Sequence, residues 1–368
     1  MTVMAIHPIT LAQTFAMGVV LVRLSRGRRR HPPLRAPAVT AAARVSVLVP
    51  ARDEEERIAP CLTALRNDPE VAEVIVIDDC STDGTAALAR SLGATVLSGR
   101  EPVSGWVGKS WALQQGLEAA AGEIVVCLDA DTHPRPGLIG ALAAALDELD
   151  FVSAGPRFDC RTAGERVLHP SLLASLVYRF GPGDSRDHPP RIARLVANGQ
   201  CMAARREPLL EAGGFAHAAG HFTDDAALAR ALARRGWRAG FRDGAALLDV
   251  RMHASVGEVW REWGRTIGFA DVNSRPALAG DVALVFLTMA LPVVRLARRS
   301  LRPLDGLLLA LRWLLLAGLR GSYAERGVAF WLSPLADPVT AVRLALSALR
   351  QPRSWRGRTY EPKAPARS

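Results

Sequence analysis

Short apolar runs alternate with helical segments through the first half of the chain, and this alternation restricts the possible fold more than any other feature. The runs cover residues 45–49, 74–77, 94–97, 124–128 and 151–154. Helical spacing of apolar residues occupies the intervals 54–67, 84–92, 109–121 and 138–146. Because continuous apolar runs suit strands that are buried on both faces, the pattern predicts an α/β fold with a doubly wound, mostly parallel sheet.

Acidic residues follow three of these runs, two of them directly. The run at 124–128 leads into Asp129-Ala-Asp131, the run at 74–77 into Asp78-Asp79, and the run at 45–49 into Pro-Ala-Arg-Asp-Glu-Glu. Ligands of doubly wound sheets bind at the carboxyl ends of the strands, and hard divalent cations prefer oxygen ligands. The sequence therefore indicates a metal site at this edge, although Asp-x-Asp alone is also common in ordinary loops.

The balance of charge is basic, with a formal net charge of +10 and a pI near 10.3. Such a chain suits an anionic partner, which could be nucleic acid, anionic lipid or a diphosphate substrate. The densest group of arginines, within residues 23–30, directly follows an apolar stretch at 9–22, as cytoplasmic charges beside a membrane helix do. Zinc-finger spacing and RNA-binding aromatic motifs are absent, so we expect no nucleic-acid partner.

Two further apolar segments, 281–297 and 304–319, are separated and followed by arginines. We expect them to associate with a membrane, as spans, a tight hairpin, a re-entrant pair or interfacial helices. Core helices of a soluble bundle are the alternative. The five cysteines are scattered, odd in number and without a C-x-x-C pair, which favours a reducing compartment over a disulfide framework.

The strand-end segments together resemble glycosyltransferase family 2, whose motifs read P-A-R-[ND]-E-E, D-D-x-S-x-D-G-T and D-A-D in this order. The match extends over roughly the first two-thirds of the chain. It implies the GT-A nucleotide-diphospho-sugar transferase fold, here with an N-terminal anchor and C-terminal membrane-associated helices. It also implies a nucleotide-diphospho-sugar donor, a UDP- or GDP-sugar, and a Mg²⁺ or Mn²⁺ ion, which would neutralise the departing diphosphate.

By that resemblance, Pro50, Arg52 and Glu54 would line the nucleotide pocket and Asp79 would contact the base. Asp131, supported by Asp129, would hold the metal on the diphosphate.

A second resemblance concerns residues 105–113, Gly-Trp-Val-Gly-Lys-Ser-Trp-Ala-Leu, which look like a G-W-x-G-K-x-W-A segment of lipid- and carotenoid-modifying family members. Lys109 stands where a helix begins, so its ammonium could reinforce an anion site at the helix N-terminus. A solvated surface charge is the ordinary alternative for a single lysine.

Thr223-Asp224-Asp225 precedes a helical segment and could simply cap it. The stretch also resembles the E-D-x-x-L motif of the family, with Asp224 in place of the glutamate and Asp225 at the position of the general base. An inverting transfer needs one carboxylate that takes the proton of the acceptor.

Two later residues are weaker candidates. His253 lies near the place where some relatives have a metal or diphosphate ligand, although a single histidine is often structural. Arg265 could clamp the leaving diphosphate, because a guanidinium donates to phosphate oxygens in pairs. The Q-x-x-R-W motif of processive family members is absent, which favours transfer of a single sugar.

The acceptor is indicated only by the C-terminal part of the chain. Residues 331–338 and 352–360 look like the end of membrane glycosyltransferases that act on carotenoids, so we expect a lipid-like acceptor at the cytoplasmic leaflet of the cell membrane. A hopanoid or a polyprenyl phosphate is the alternative acceptor. A non-catalytic nucleotide-sugar-binding scaffold is an alternative of another class, and a pyrophosphorylase is disfavoured because no glycine-rich loop follows the first run.

The expected organisation has five parts. Residues 1–30 form an anchor with its basic flank, 31–43 a linker, 44–252 the catalytic domain, 253–280 connecting helices that complete the site, and 281–368 a membrane-associated helical region with a tail.

Overall fold

The computed structural model describes residues 8–38, 43–187, 190–350, 354–355 and 358–360. Its strands are β1 Val45–Ala51, β2 Val71–Asp78, β3 Thr95–Ser98, β4 Ile124–Leu128, β5 Thr132–Pro134, β6 Phe151–Gly155, β7 Arg157–Phe158, β8 Cys201–Arg205, β9 Ala239–Asp243, β10 Leu248–Val250, β11 Ser354–Trp355 and β12 Arg358–Thr359. Its helices are α1 Pro8–Ser25, α2 Ile58–Arg66, α3 Thr85–Ser91, α4 Gly108–Ala119, α5 Leu138–Ala145, α6 Ala163–Phe180, α7 Arg206–Glu211, α8 Asp224–Arg234, α9 Val256–Thr266, α10 Arg275–Val285, α11 Leu291–Ala297, α12 Pro303–Leu319, α13 Val328–Trp331 and α14 Asp337–Leu349.

A seven-stranded sheet in the order β3-β2-β1-β4-β8-β6-β9 forms the centre of the fold. Strand β1 pairs in parallel with β2 and β4, and β6 pairs in parallel with β9, whereas β8 runs antiparallel between β4 and β6. Successive residues of β1 enter opposite hydrophobic cores, Val47 on one face and Leu48 on the other. The predicted doubly wound, mostly parallel sheet is confirmed.

The first predicted helix begins later than expected, at Ile58 instead of residue 54. Asp53 adopts a left-handed backbone with φ of 53°, which turns the chain before the helix can start. Its backbone N–H donates to Ser81 Oγ, and its carboxylate accepts from the backbone N–H of Thr82 at 2.7 Å. The loops after β1 and β2 are thereby held together at the edge of the sheet.

A smaller sheet in the order β5-β10-β7 adjoins the carboxyl end of β4. Strand β10 pairs antiparallel with β5, with Val250 opposite Thr132, and parallel with β7. Because Thr132 follows Asp131 and Val250 precedes Arg251, this pairing brings residues 251–253 beside the Asp-Ala-Asp segment.

Helices from both ends of the chain form a second, helical layer. Buried side chains of α1 pack with those of α6, α9, α10 and α14, among them Val20, Leu172, Val259, Val285 and Leu344. A π-helical turn, Phe286–Ala290, joins α10 and α11. The segment expected at 281–297 therefore lies within a helix that is continuous from residue 275, and the segment expected at 304–319 corresponds to α12.

Two helices, Pro8–Arg28 and Arg275–Ala297, have the length and apolar composition needed to cross a membrane. The charges that interrupt the apolar segments are paired inside the helical layer. Arg312 bonds to Asp337 at 3.0 Å, and Arg295 to Asp305 at 3.1 Å. Large apolar side chains face outward instead, including Phe15, Val22, Leu307, Leu314, Val328 and Val342.

Parts of four expected regions lie outside the described residues. They are residues 1–7 of the anchor, 39–42 of the linker, 188–189 of the catalytic domain, and 351–353, 356–357 and 361–368 of the tail. The described part of the linker lies against the sheet domain, where the Leu34 backbone N–H donates to the Asp243 carbonyl at 2.8 Å and the Leu34 side chain is buried. The five-part organisation itself stays a prediction.

The buried Arg312–Asp337 pair gives a test of the helical layer. Both side chains are 1% exposed. We expect Asp337→Asn to lower the free energy of unfolding by about 3–5 kcal/mol, because the arginine charge stays buried without its partner. The double replacement Arg312→Met with Asp337→Leu should be much milder. Thermal unfolding in one detergent would compare them, and equal losses in both variants would contradict an electrostatic origin.

Candidate active site

A cavity of about 1670 Å³ opens at the carboxyl ends of β1 and β4. It is lined by every residue that the sequence selected for the site except Asp79. These are Pro50, Arg52, Glu54, Lys109, Asp129, Asp131, Asp224, Asp225, His253 and Arg265. Residues that are up to 215 positions apart in the sequence thus share one pocket.

The two acids after β4 have different surroundings. Asp129 forms an ion pair with Lys109, with 2.7 Å between Oδ1 and Nζ. The Asp131 Oδ1 atom is buried and has no hydrogen-bond partner among the described residues. Burial, together with the nearby carboxylates of Asp129 and Glu54, raises the pKa of Asp131 to about 7. Asp131 therefore offers a carboxylate oxygen to a ligand, whereas Asp129 already holds a cation.

Lys109 lies in the first turn of α4 and is largely buried, with 17% of its side chain exposed. Its ammonium also donates to the Gly199 carbonyl at 3.2 Å. Burial alone would lower the pKa of Lys109, but the carboxylates of Asp129, Asp224 and Asp225 outweigh it and raise the pKa. Lys109 is thus a permanent internal cation and not a solvated surface charge.

Asp224 and Asp225 occupy the first turn of α8. Asp225 accepts from the Gly199 backbone N–H at 2.9 Å through Oδ2 and from the Ala226 N–H through Oδ1. Burial, and next the charge of Asp224, raises the pKa of Asp225 to about 7. Burial likewise raises the pKa of Asp224, whose Oδ2 has no partner in the described part of the chain.

The Thr223 side chain does not cap α8, because its hydroxyl donates to Asp271 instead, at 2.5 Å. Capping therefore does not explain the whole Thr-Asp-Asp segment.

His253 follows β10 and faces the same cavity. Both of its ring nitrogens are buried and lack a hydrogen-bond partner within the ranges that the structure describes. Burial lowers the pKa of His253 to about 4, so the imidazole is neutral at neutral pH. A neutral imidazole with an open nitrogen can bind a cation or a hydrogen-bond donor. Arg265 also lines the cavity and forms an ion pair with Glu262 on α9.

Asp79 lies beside the cavity and is covered by the C-terminal tail. Arg358 donates to Asp79 Oδ1 at 2.5 Å and pairs with Glu101 at 2.9 Å. Despite that arginine, burial raises the pKa of Asp79. Arg52 donates to the Asp79 carbonyl at 2.7 Å and so connects this residue with the cavity wall.

Tyr360 continues the same cover. The Gly108 backbone N–H donates to its hydroxyl at 3.3 Å, and its ring meets Phe222 edge to face. Sequence reasoning did not identify Arg358 or Tyr360 as site residues. The only signal in the sequence was the likeness of the tail to other membrane enzymes, which does not point to the nucleotide site.

Gly199, in the loop before β8, is another residue that the sequence did not single out. Its N–H binds Asp225 and its carbonyl accepts from Lys109, so one peptide segment joins the two charged groups. A Cβ atom at this position would lie 3.1 Å from the Lys109 ammonium nitrogen. The close approach of backbone to lysine explains why a glycine suits this position.

No group of three or more histidine, cysteine, aspartate or glutamate side chains in the described ranges is arranged to hold a metal ion by itself. Mg²⁺ commonly takes only one or two carboxylates from a protein and fills its other positions with water and substrate phosphates. The open oxygen of Asp131 and the open nitrogens of His253 fit an ion that is completed in this way.

Known proteins resemble the chain in sequence and in fold. Residues 46–213 match the model of Glycosyl transferase family 2. The 4,4'-diaponeurosporenoate glycosyltransferase of Staphylococcus aureus strain MRSA252 is 41% identical over 100 residues, 27% of each chain. The enzyme of that name from Staphylococcus haemolyticus strain JCSC1435 is 39% identical over 91 residues, 24% of each chain. The matched region thus spans about a quarter of the length of these curated relatives.

A mannosyltransferase from Pyrobaculum calidifontis, solved in complex with GDP-Man and Mn²⁺, superposes with a TM-score of 0.55 at 22% identity. The superposition covers 93% of this chain and 98% of the other. At that identity the likeness establishes the fold alone. Taken with the mostly parallel sheet, it shows that this chain has the GT-A fold, and the region that matches the family 2 model, residues 46–213, lies within that fold.

Proposed function

We propose that this protein is an inverting, metal-dependent glycosyltransferase that moves a single sugar from a nucleotide-diphospho-sugar to a lipid-like acceptor. The observation that carries the proposal is the shared cavity, in which a candidate metal ligand, Asp131, and a candidate base, Asp225, lie with the cation Lys109. The family 2 domain supports the same reaction class. A binding scaffold would have no use for a second acid that is poised to take a proton.

The donor lies across the edge of the sheet in this proposal. Pro50, Arg52 and Glu54 line the nucleotide end of the cavity, and Asp79 faces the base beside them. Asp131 and His253, with Asp129 in support, would hold Mg²⁺ or Mn²⁺. That ion would neutralise the negative charge of the diphosphate. The mannosyltransferase of the same fold was solved with GDP-Man and Mn²⁺, so the fold can accommodate both together.

Lys109 and Arg265 are assigned to the diphosphate. Both basic side chains line the cavity, so they would stabilise the negative charge that accumulates when the bond between the sugar and the diphosphate breaks. Lys109 is held in place by Asp129 and Gly199, which reduces the reorganisation needed during the reaction.

Asp225 is assigned as the general base. An oxygen of the acceptor, from a hydroxyl or from a protonated carboxyl, attacks the anomeric carbon, the bond from that carbon to the diphosphate oxygen breaks, and the proton of the attacking group moves to the Asp225 carboxylate. A pKa of about 7 suits a base that works near neutral pH. Asp224, next to it, keeps that pKa raised by its own charge.

The lipid-like acceptor and the location at the cytoplasmic face of the membrane rest on other observations. The curated relatives are named for a carotenoid acid, 4,4'-diaponeurosporenoate. The helical layer exposes large apolar side chains and contains two helices with the length of a membrane span. We assign a carotenoid-type acceptor on this basis, with a hopanoid or a polyprenyl phosphate as the alternative substrate of the same site.

Replacement of the proposed base should separate binding from turnover. We expect Asp225→Asn to lower kcat by about 10²–10⁴-fold, the usual contribution of a general base, with little change in donor affinity. Product formation from radiolabelled UDP- and GDP-sugars, with membrane lipid extract as acceptor, would measure kcat. Calorimetric titration with the nucleotide would measure affinity. Unchanged product formation would remove Asp225 from the role of base.

The metal assignment can be tested on nucleotide binding alone. Asp131→Asn should abolish the tightening of UDP or GDP binding by Mn²⁺, because the open carboxylate oxygen would be lost. Asp53→Asn is a matched control in the same cavity, since asparagine tolerates the left-handed backbone of residue 53. Calorimetry with and without Mn²⁺ checks both variants, and equal Mn²⁺ dependence in the two would contradict the assignment.

The raised pKa of Asp225 predicts that the contribution of this group to stability falls with increasing pH. The pKa of Asp225 is about 7 in the folded protein and about 4 in an unfolded chain, so the folded state holds more protons between these values. Stability due to this group is present at pH 4 and is lost as the pH rises through 7.

In the metal-free protein, we expect Asp225→Asn to change the difference in unfolding temperature between pH 5 and pH 8 by a few °C in favour of pH 8, about the size of a 1 kcal/mol change, because the variant lacks this titrating group. The control is Asp150→Asn. A hydrogen bond from Arg238 lowers the pKa of Asp150, so this carboxylate does not change its charge between pH 5 and 8. Thermal unfolding from pH 5 to 8 would measure the effect. Equal pH dependence in wild type and Asp225→Asn would count against it.

A further inference from the structure

The cavity continues beyond the charged residues into an apolar arm within the helical layer. Three helices supply its walls, α1 through Leu24, α6 and α12. The wall residues of α6 are Leu173, Leu176, Val177 and Phe180, and those of α12 are Leu311, Leu314, Leu315, Gly318 and Leu319. Both sets follow the spacing of a single helix face. Each helix therefore turns one apolar face toward the space between them.

The inner end of the arm reaches the proposed base. Phe180, the last residue of α6, packs in one buried cluster with Ala226, the residue after Asp225. From Leu173 to Phe180 the helix extends over about 10 Å, at 1.5 Å per residue. An apolar chain that lies along α6 would thus bring its end to the first turn of α8.

The outer end of the arm opens toward the apolar exterior. Leu314 lines the cavity and is nevertheless 70% exposed. Leu307, two turns earlier on the same face of α12, is 62% exposed and is not part of the cavity wall. The wall of the arm is therefore continuous with an outward apolar surface, which is the surface that would meet lipid.

The cavity is also large for one substrate. Ligand pockets usually measure about 300–1,000 Å³, whereas this cavity measures about 1670 Å³. The charged end suits a nucleotide diphosphate, and the walls that α6 and α12 supply are apolar. A second substrate with a long apolar part fits that division.

We propose that the arm between α1, α6 and α12 is the acceptor site, and that it takes one long apolar chain, oxygen-bearing end first, directly from the membrane. The polar end stops at Asp225 and the apolar part lies against α6 and α12. The proposal rests on the proposed glycosyltransferase function, because it names the place of the acceptor in that reaction.

Two glycines of α12 allow a matched test. A Cβ atom at Gly318, in the arm, or at Gly306, outside it, would meet nothing within 4 Å. Gly318→Phe should therefore fill the arm without a clash, while Gly306→Phe adds the same side chain on the same helix away from the cavity. Neither glycine has a left-handed backbone, so a side chain at either position does not strain the backbone. Replacement of a glycine inside a helix also favours the helix.

The probe is a long-chain alcohol with a photoreactive diazirine at its apolar end, added to the full chain in phosphatidylcholine nanodiscs. Mass spectrometry would locate the label. We expect label on residues 173–177 of α6, which face the arm, and at least a tenfold loss of that label in Gly318→Phe but not in Gly306→Phe. Equal labelling of α6 in both variants, or equal loss in both, would overturn the proposal.

Calorimetric titration of the same preparations with UDP and GDP in the presence of Mn²⁺ keeps the two proposals distinct. Both variants should bind a nucleotide as wild type does. If wild type binds no nucleotide, the proposed function fails whatever the labelling shows. If nucleotide binding is normal and the arm is not labelled, only the acceptor site fails.

Discussion

The ammonium of Lys109, enclosed by carboxylates, is the interaction on which the site depends. Asp129 follows β4, whereas Asp224 and Asp225 begin α8, and their charges would repel one another in this largely buried cluster. One buried cation among them lowers that repulsion, and its salt bridge to Asp129 and hydrogen bond to Gly199 fix its position. In the proposed reaction the same cation would face the diphosphate, so the group that stabilises the site would also serve catalysis.

Two features of the sheets bring those elements together. The antiparallel strand β8 stands between β4 and β6, which carries the Gly199 loop to the carboxyl end of β4, where Asp129 follows. In the small sheet β5 pairs with β10, and this pairing brings the segment of His253 beside Asp131. The site is therefore assembled from both sheets, and its acids are held by backbone pairing and not by flexible loops alone.

The sequence predicted the parts of the site that follow from local pattern. Continuous apolar runs predicted the parallel strands, and an acid that directly follows such a run must lie at the edge of the sheet, so the position of Asp129 and Asp131 at that edge could be predicted. Strand β8 was missed because five residues, Cys-Met-Ala-Ala-Arg, are too short to distinguish from a helix turn. The partner of Asp79, Arg358, is 279 positions away, and no spacing rule connects residues that only tertiary packing brings together. The two ring nitrogens of His253 lack partners because of the way this side chain is buried, and burial cannot be read from the sequence.

The cover formed by Arg358 and Tyr360 has a consequence for handling the protein. These residues hold Asp79 and Gly108 from a segment that follows α14, so whatever is attached just after residue 360 is tethered at the rim of the nucleotide end of the cavity. A bulky fusion partner placed there would compete for the same space or pull the cover away. A fusion partner attached before α1 would join the helical layer instead and would leave that rim undisturbed.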